Sequence, residues 1–337
     1  MKLRILIIFF IMINIALAQD FHLSQFYTSP VVFNPAETGM MSGGDYRATS
    51  SYRDQWRTIG NPYLVQQGNF DMKLYRDKNY NNLFAGGITY LGEKAGAGRM
   101  GYWYLGGTLS SSIKVNEKGR LAMGLKGGYG IRTVNVNSFT WDNQWDGTQF
   151  NGGILSGEGA FIPNVPFRDF GAGFYYTQKL SEYFNYNAGF ALDHLLIPQI
   201  TYLGKNDRLK MKFTGTAGAE IKVRGSNKTL LPKILMMKQG PNYEFTPGIL
   251  VKYGLGMESH YTGIYRQSAI YFGGFYRTRD ALIVSLQYDH KHYFSFGISY
   301  DVNLSKLTPS TYALGGFEVT LQHTGFFMRN KLAVSHE

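Results

Sequence analysis

Two aspartate–histidine neighbours are the residues of this chain that most resemble catalytic machinery. Asp193 precedes His194, and Asp289 precedes His290. Both pairs lie in stretches where apolar and polar residues alternate. Neighbours on a strand point to opposite faces, so neither pair can form an acid–base dyad. Nothing in the sequence places a nucleophile beside a base and an orienting group. We therefore predict a protein without enzymatic activity.

Metal and cofactor chemistry is the second possibility. His290 and His292 would share one face of a strand, and two imidazoles at that spacing can hold a metal ion. A lone His-x-His beside a turn is more often a solvated pair, so we predict no metal site. The glycine-rich run 124–130 is not a phosphate loop, because no helix follows it and its glycines keep the alternation of a strand. We expect no cofactor.

Basic side chains recur on the polar face of the alternating stretches. There they could line a path for anions, dock an acidic partner, or simply be solvated beside carboxylates such as Glu220 and Asp193. The sequence leaves these alternatives open. The basic residues predicted to face the lumen of the fold are Arg120, Lys126, Arg132, Lys210, Lys212, Lys222 and Lys252.

The stretch 119–134 illustrates the element that must position these residues. Its apolar side holds Leu121, Met123, Leu125, Tyr129 and Ile131. The other side holds small or basic residues, and side chains of a strand alternate between two faces, so the pattern predicts a strand with one apolar face. Strands of soluble domains average about five or six residues, whereas a tilted strand that crosses a bilayer needs about 9 to 11. The length of 119–134 favours a bilayer.

The same pattern recurs along the chain, with turn signals between copies. The predicted strands are 46–56, 63–74, 83–92, 100–115, 119–134, 168–180, 184–195, 209–223, 229–238, 243–255, 267–278, 281–290, 293–303 and 313–323. The apolar faces would contact lipid and the polar faces would line the interior. We predict an all-β fold, a transmembrane antiparallel outer-membrane β-barrel of about 14 strands, with 12 to 16 possible.

A soluble sandwich is the alternative, since half-buried strands in water also alternate. The segments 100–115, 119–134 and 209–223 are longer than a sandwich normally uses. A single sheet of so many strands would also have to close in order to hide its edges. Both arguments favour the barrel.

Composition indicates export. Lys2 and Arg4 precede the apolar run 5–17, and Ala18 closes a small-residue cleavage site, so we predict a signal peptide over 1–18. Later apolar runs fall short of the 18 residues of a helical membrane span. The chain has no cysteine, which excludes disulfides and lipid attachment through cysteine. Although the formal net charge is +11, export argues against a nucleic-acid partner.

The remaining segments complete the predicted organisation. Residues 19–45 would form a periplasmic arm or a plug-like segment, 46–323 the barrel and 324–337 a C-terminal tail. Long connections of such barrels usually face the exterior, which places the loop 135–167 outside the cell. We expect Leu125→Arg to be costly and Gly124→Ser to be mild unless the lumen is packed.

Several short sequence motifs, termed family words, carry a resemblance to a known family. The first are Ser24-Gln25-Phe26-Tyr27-Thr28-Ser29-Pro30, Phe33-Asn34-Pro35-Ala36 and Tyr52-Arg53-Asp54-Gln55-Trp56. Later words follow in order: Pro247-Gly248-Ile249-Leu250-Val251-Lys252, Gly273-Gly274-Phe275-Tyr276-Arg277, Gly297-Ile298-Ser299-Tyr300-Asp301 and Gly316-Phe317-Glu318-Val319. Together they closely resemble the PorP/SprF family of the type IX secretion system.

The resemblance implies an integral outer-membrane barrel in a Bacteroidota-type envelope. Its members look like components of the secretion machine or partners of secreted cargo with a type B C-terminal targeting domain, including a gliding adhesin. It implies other type IX secretion subunits as partners, and outer-membrane lipid or lipopolysaccharide surrounds such a barrel. The residues carrying the N-terminal family words, and possible partner contacts, are Gln25, Tyr27, Asn34, Arg53 and Trp56.

The long external loop supplies a second set of possible partner contacts. Trp141, Trp145 and Phe150 are aromatic anchors of the kind that dominate interfaces, although girdle residues at a membrane surface have the same composition. The function expected is non-enzymatic binding or anchoring of secreted cargo at the cell surface. The alternative is a diffusive porin or a transporter barrel for lipid or hydrophobic compounds.

Overall fold

The fold is a closed barrel of fourteen antiparallel strands, in which each strand pairs with its neighbours in sequence and the last returns to the first. The computed structural model describes residues 21–57, 60–96, 98–155, 162–202, 207–255, 267–306 and 308–327. The predicted signal peptide and residues 328–337 of the predicted tail lie outside these ranges. The predicted fold class and the count of about 14 strands are confirmed.

Strand boundaries follow the alternation closely. The strands are β1 (Tyr46–Gln55), β2 (Tyr63–Arg76), β3 (Asn82–Ala95), β4 (Met100–Asn116), β5 (Gly119–Thr133), β6 (Asn164–Lys179), β7 (Phe184–Asp193), β8 (Lys212–Lys222), β9 (Lys228–Gln239), β10 (Asn242–Leu255), β11 (Ser268–Arg277), β12 (Ala281–His290), β13 (Phe294–Asn303) and β14 (Leu314–Gly325). The barrel closes between β1 and β14 in continuous register, from Tyr46 opposite Gly325 to Gln55 opposite Gly316.

The two faces of each strand are distributed as the alternation predicts. On β5, Met123, Leu125 and Tyr129 are exposed on the outer surface, whereas Ala122 and Gly124 are buried on the inner one. The strands β4 and β6 have 17 and 16 residues, more than the roughly 9 to 11 that a tilted bilayer strand requires. They therefore extend beyond the apolar band at one or both ends.

The predicted starts of two strands were wrong by three or more residues, and β3 continues to Ala95 rather than 92. β6 begins at Asn164, not 168, so the loop is 134–163 and Pro166 lies within a strand. Residues 164–171 pair with β5 alone, because the β6–β7 ladder starts at Ala172. A proline is tolerated on such a one-sided stretch, where its missing N–H breaks no ladder bond. Similarly, β8 starts at Lys212 rather than 209, because β7 ends opposite Lys212.

The connections differ between the two ends of the barrel. One end, termed the loop end, carries the connections 56–62, 96–99, 134–163, 194–211, 240–241, 278–280 and 304–313. The other, termed the turn end, carries the connections 77–81, 117–118, 180–183, 223–227, 256–267 and 291–293, and the two longest connections, 134–163 and 194–211, are at the loop end. Long connections of outer-membrane barrels usually face the exterior, so we expect the loop end to be extracellular.

The N-terminal segment 21–45, termed the plug, lies inside the barrel. It consists of three short helical turns, Phe26–Thr28, Pro30–Phe33 and Pro35–Glu37, joined by irregular backbone. Within the described ranges, no helix is long and apolar enough to cross a membrane. The plug starts at the loop end, where Lys212 Nζ lies 5.5 Å from the ring centroid of Phe21. It finishes at the turn end, where Asp45 N–H donates to the Gly325 carbonyl (2.7 Å). The chain thus runs the full height of the lumen before β1 begins.

The plug and the inner wall share one hydrophobic core. Its members from the plug are Phe21, Leu23, Phe26, Val32 and Phe33. Its members from the wall are Val65, Leu91, Tyr104, Phe167, Leu235, Leu250, Phe275 and Ile283. Phe275 contacts two plug rings, Phe26 edge-on and Tyr27 in a stack, each with centroids 5.4 Å apart. Burial of this apolar surface favours the plugged state.

The exposure of Leu125 makes the outer face testable. Its side chain is 65% exposed on the outer surface of β5, and an arginine facing mid-bilayer lipid in a barrel costs about 2–4 kcal/mol. We expect Leu125→Arg to lower the free energy of unfolding by about this amount in urea titrations of protein folded into lipid vesicles. Leu125→Met is the apolar control and should be nearly neutral. Equal stability of the two variants would contradict the assigned face.

Candidate functional site

A buried ionic cluster joins the plug to four strands. It comprises Ser24 of the plug with Arg53 (β1), Arg277 (β11), Asp301 (β13) and Glu318 (β14). Asp301 Oδ2 accepts hydrogen bonds from Arg53 Nη2 (2.8 Å) and Arg277 Nη1 (3.1 Å). Asp301 Oδ1 accepts from the Ser24 hydroxyl at 2.6 Å. The cluster is almost wholly buried, so its charges depend on one another for solvation.

Both arginines in turn donate to Ser24. Arg277 Nη2 lies 3.1 Å from Ser24 Oγ, and Arg53 Nη1 donates to the same oxygen. The plug backbone closes the network, because the Ser24 and Gln25 N–H groups donate to the two Glu318 carboxylate oxygens at 2.6 and 3.0 Å. Charge-assisted bonds of this kind are stronger than neutral ones. Arg53 and Glu318 are also opposite one another across the closure of the barrel, so plug and closure share one network.

Asn34 provides a second anchor at mid-height. Its side-chain N–H donates to the Phe174 carbonyl (2.9 Å), and its side-chain oxygen accepts from Ala36 N–H (3.0 Å). The inner wall can lie close to the plug at this height because the wall residues that face Asn34 are glycines. A Cβ added at Gly173 would overlap the Asn34 side chain, and one added at Gly189 would lie 2.6 Å from Asn34 Nδ2. These glycines leave room for the plug.

A third anchor lies nearer the turn end. The Asp71 carboxylate accepts two parallel bonds from Arg47, both 3.0 Å, and a further bond from Gly39 N–H of the plug (2.9 Å). Thr38 adds a hydroxyl bond to Thr108 at 3.0 Å. A bidentate arginine–carboxylate pair has a fixed geometry. The plug is therefore bonded to the wall near its beginning, its middle and its end.

The predicted lumen-facing basic residues fall into separate environments. Lys126 and Lys212 both face Asp193, at 2.7 and 3.4 Å, so they form one buried ionic group. Arg120 lies near the turn end and donates to Ser112 Oγ (3.0 Å) and to the Tyr80 carbonyl. Paired with neighbouring groups in this way, Lys126, Lys212 and Arg120 do not line a continuous anion path.

The other predicted basic residues lie nearer the ends. The Arg132 guanidinium lies 5.6 Å from the Tyr202 ring centroid at the loop end, and Lys252 Nζ lies 5.9 Å from that of Tyr271. Lys222 is exposed at the last position of β8. The lumen position predicted for Lys210 was wrong. Lys210 precedes β8 and is exposed at the rim, because residues 209–211 belong to the loop-end connection.

The histidines of the two predicted pairs lie in separate environments. His194 Nδ1 faces Asp169 (3.0 Å), while the adjacent Asp193 carboxylate faces lysines. His290 ends β12, so His292 lies in the following turn and pairs with Asp289 at 2.8 Å instead of sharing a strand face with His290. Among described residues, no group of three or more acidic or histidine side chains is arranged to hold a metal ion.

The predicted loop aromatics lie on an ordered hairpin, residues 141–155. Trp145 and Phe150 pair as an isolated bridge and are 58% and 49% exposed. Between them Asp146 accepts bonds from Gln149 and Thr148 N–H, both 2.9 Å, and these bonds lower the pKa of its carboxyl. Trp141 is partly covered and packs edge-on against Phe139. The hairpin thus presents two large apolar side chains on a fixed turn.

The loop-end connections also support one another. The Ile162 N–H donates to the Tyr202 carbonyl (2.8 Å), and the Tyr202 hydroxyl donates to the Thr133 carbonyl (3.0 Å). The first bond joins the connection 134–163 to the connection 194–211, and the second joins the connection 194–211 to the end of β5. Gln144 stabilises the hairpin from inside, because its amide N–H donates to the Ile154 carbonyl at 3.0 Å.

The residues that carry the N-terminal family words lie in or beside the lumen. Gln25, Asn34 and Arg53 are buried in the anchors described above. The Tyr27 hydroxyl bonds to Ser285 Oγ on β12 (2.5 Å). Trp56 directly follows β1 in a left-handed conformation (φ 61°) and lines a cavity of about 290 Å³ at the loop end. None of these five forms part of the hairpin.

Sequence reasoning missed how these residues meet. Arg277, Asp301 and Glu318 each occur in one of the quoted family words, as does Ser24, yet none was predicted as a site residue. The available signal was the set of apolar residues at inward positions, such as Leu235, Phe275 and Ile283, which a water-filled lumen would not favour.

Fold and site together define a plugged antiparallel β-barrel with an apolar outer surface. The profile of the family described as "Type IX secretion system membrane protein PorP/SprF" matches residues 15–323. The chain belongs to this family, as the sequence words predicted, and it is an integral protein of the outer membrane. A comparison with curated proteins found no match.

Solved barrels with a similar chain trace are distant in sequence. The CymD monoaromatic hydrocarbon channel is 10% identical with a TM-score of 0.49, covering 93% of this chain and 96% of that one. The Pseudomonas putida toluene transporter TodX is 9% identical with a TM-score of 0.47, covering 90% and 93%. The KdgM porin is 8% identical with a TM-score of 0.37, covering 82% and 98%. These likenesses carry no functional inference.

The ionic cluster predicts a large effect of neutralising Asp301. Asp301→Asn leaves two buried guanidinium groups without their shared carboxylate, and removal of one partner from a buried ion pair typically costs about 3–5 kcal/mol. We expect the urea midpoint of folded protein to fall accordingly, and residues 21–45 to become cleavable by protease before the barrel unfolds. Asp142→Asn, at an exposed position in the hairpin, is the control. Indistinguishable midpoints for the two variants would rule out the cluster as a main anchor.

Gly124 tests the packing of the plug. A Cβ at this position would overlap the backbone of Pro35 and Ala36, whereas one at Gly68, on the outer face of β2, meets no atom within 4 Å. Because the lumen is packed here, we expect Gly124→Ser to destabilise by about 1–3 kcal/mol. Gly68→Ser should have little effect. Protease cleavage of the plug and urea unfolding measure the difference, and equal tolerance at both positions would refute the packed lumen.

Proposed function

We propose that the chain is a non-enzymatic component of the type IX secretion or gliding apparatus that binds or anchors secreted cargo at the cell surface. The cargo carries a type B C-terminal targeting domain. Membership of the family supports a role in secretion, and the geometry of the loop end supports cargo binding there.

The observation that carries the proposal is the hairpin 141–155. Trp145 and Phe150 are large apolar side chains, and both are held exposed by a turn whose backbone is hydrogen-bonded. Exposed aromatic residues on a rigid element are typical anchors of protein interfaces, because little conformational entropy is lost when they are buried. Their location at the expected extracellular end fits a secreted partner.

The filled lumen supports an anchor over the alternative of a diffusive porin or a transporter for hydrophobic compounds. The plug crosses the whole barrel and is bonded to the wall at three heights. A solute would have to displace these contacts in order to pass. The barrel therefore acts as a fixed platform, and the motif residues Gln25, Asn34 and Arg53 serve it by holding the plug.

Other subunits of the secretion apparatus are the second class of partner. They approach from the turn end, which we expect to be periplasmic, while cargo approaches the loop end. The separation of the two ends lets one barrel connect an extracellular cargo with envelope machinery without a channel through its lumen.

Binding of a purified type B C-terminal domain from the same genome tests the proposal. We expect the detergent-solubilised protein to bind the domain, and Trp145→Ala/Phe150→Ala to weaken binding about tenfold or more, since such anchors contribute a large share of interface energy. Surface-plasmon titration gives the dissociation constants. Tyr312→Ala is the matched control, because Tyr312 is 87% exposed on another loop-end connection. Unchanged affinity in the double variant, or no binding by the parent protein, would overturn the proposal.

A further inference from the structure

A cationic patch lies at the loop end where the connections are shortest. Three exposed basic residues, Lys210, Lys238 and Arg279, lie at or beside the turn between β9 and β10. Lys238 is the cross-strand partner of Tyr243, and the Arg279 guanidinium lies 5.7 Å from the Tyr243 ring centroid. The Lys210 side chain lies over the adjacent turn, where a Cβ added at Gly240 would be 2.6 Å from Lys210 Cδ. The patch is therefore formed by three separate parts of the chain.

The positive charge of the patch is not cancelled by the carboxylates beside it. Glu244 and Asp280 are the nearby acidic residues, and both face Arg277, at 3.6 and 2.9 Å. Among the residues that the structure describes, none of the three patch cations has a carboxylate oxygen within 4.0 Å. Three such charges at one rim create a local potential that attracts anions.

Below the cations, the outer wall is aromatic. Phe213, Phe245 and Tyr276 are exposed on the outer faces of β8, β10 and β11. Lys238 is the cross-strand partner of Phe213, so its side chain leaves the same outer face directly beside this aromatic surface. Aromatic residues and long basic side chains in this order are typical of the boundary between hydrocarbon and headgroups.

Among the described residues, the short connections at the rim leave the patch open on its outer side. At this end β9 joins β10 through residues 240–241, and β11 joins β12 through 278–280, so neither connection extends over the patch. The long connections 134–163 and 194–211 arise on the strands β5 to β8. A ligand embedded in the outer leaflet can approach the patch along the barrel wall.

We propose that this patch binds the phosphorylated headgroup of an outer-leaflet lipid. Lys210, Lys238 and Arg279 contact the phosphate oxygens, because guanidinium and ammonium groups are the side chains that recognise phosphate. The acyl chains of the lipid lie along Phe213, Phe245 and Tyr276. The lipid fixes the tilt and height of this side of the barrel, close to the loop end that receives cargo.

Lipid exchange on the full-length protein tests the proposal. The delipidated protein is placed in neutral phosphatidylcholine nanodiscs that contain a small fraction of bis-phosphorylated lipid A, and bound lipid A is counted by native mass spectrometry. We expect retention of lipid A by the parent protein and a loss of about tenfold or more in Lys210→Gln/Lys238→Gln/Arg279→Gln, because each removed cation weakens headgroup attraction severalfold. Dephosphorylated lipid A should bind the parent protein as weakly as lipid A binds the triple variant.

Lys228→Gln is the matched control, since Lys228 lies on the same outer face of β9 at the turn end. This variant should retain lipid A. Heat-dependent electrophoretic mobility verifies that the barrel of each variant is folded.

Competition by inorganic phosphate distinguishes an isolated phosphate site from a lipid site, because bound lipid A should resist displacement by millimolar phosphate. Equal lipid A retention in the parent protein and the triple variant, or complete displacement of lipid A by phosphate, would each overturn the proposal.

Discussion

The structure depends on the shared solvation of a few buried charges. Two guanidinium groups, Arg53 and Arg277, are removed from water. The carboxylates that compensate them are Asp301 and Glu318, with Glu244 and Asp280 beside Arg277, and the Ser24 hydroxyl bonds to both arginines and to Asp301. Isolated buried charges of this kind are strongly destabilising. Because Ser24 belongs to the plug, the wall reaches its satisfied state only when the plug is in place. The closure of β1 against β14 passes through the same network, so the plug and the closing strands stabilise one another, while the strand ladders themselves hold the barrel closed.

This coupling explains the uneven composition of the inner wall. Where the plug backbone touches the strands, the wall is glycine, as at Gly124 and Gly173. Where plug aromatics reach the wall, inward positions are apolar, as at Phe275. The inner surface is therefore shaped for a protein segment and not for water. The binding surfaces that we propose therefore lie outside the lumen, on the loop-end hairpin and on the outer rim.

Alternation along the sequence was sufficient to predict the strands and the closed barrel, because every strand contacts an apolar medium on one side. It failed at the start of β6, where residues 164–171 pair with β5 alone, and at the start of β8, where both neighbouring strands end opposite Lys212. The ionic cluster could not be predicted from spacing, since its members lie up to 294 residues apart and meet only after closure. The aromatics of the hairpin were visible in the sequence, but their fixed exposure depends on turn bonds that composition does not reveal.

Planar-bilayer recording tests the central claim, that the plug closes the barrel. The parent protein should show no steady conductance, and a variant that lacks residues 21–44 should open a stable ohmic channel, because the inner wall then lines an empty lumen. The comparison is made with both proteins verified as folded in the same detergent. A steady conductance of the parent protein equal to that of the deletion variant would contradict the account.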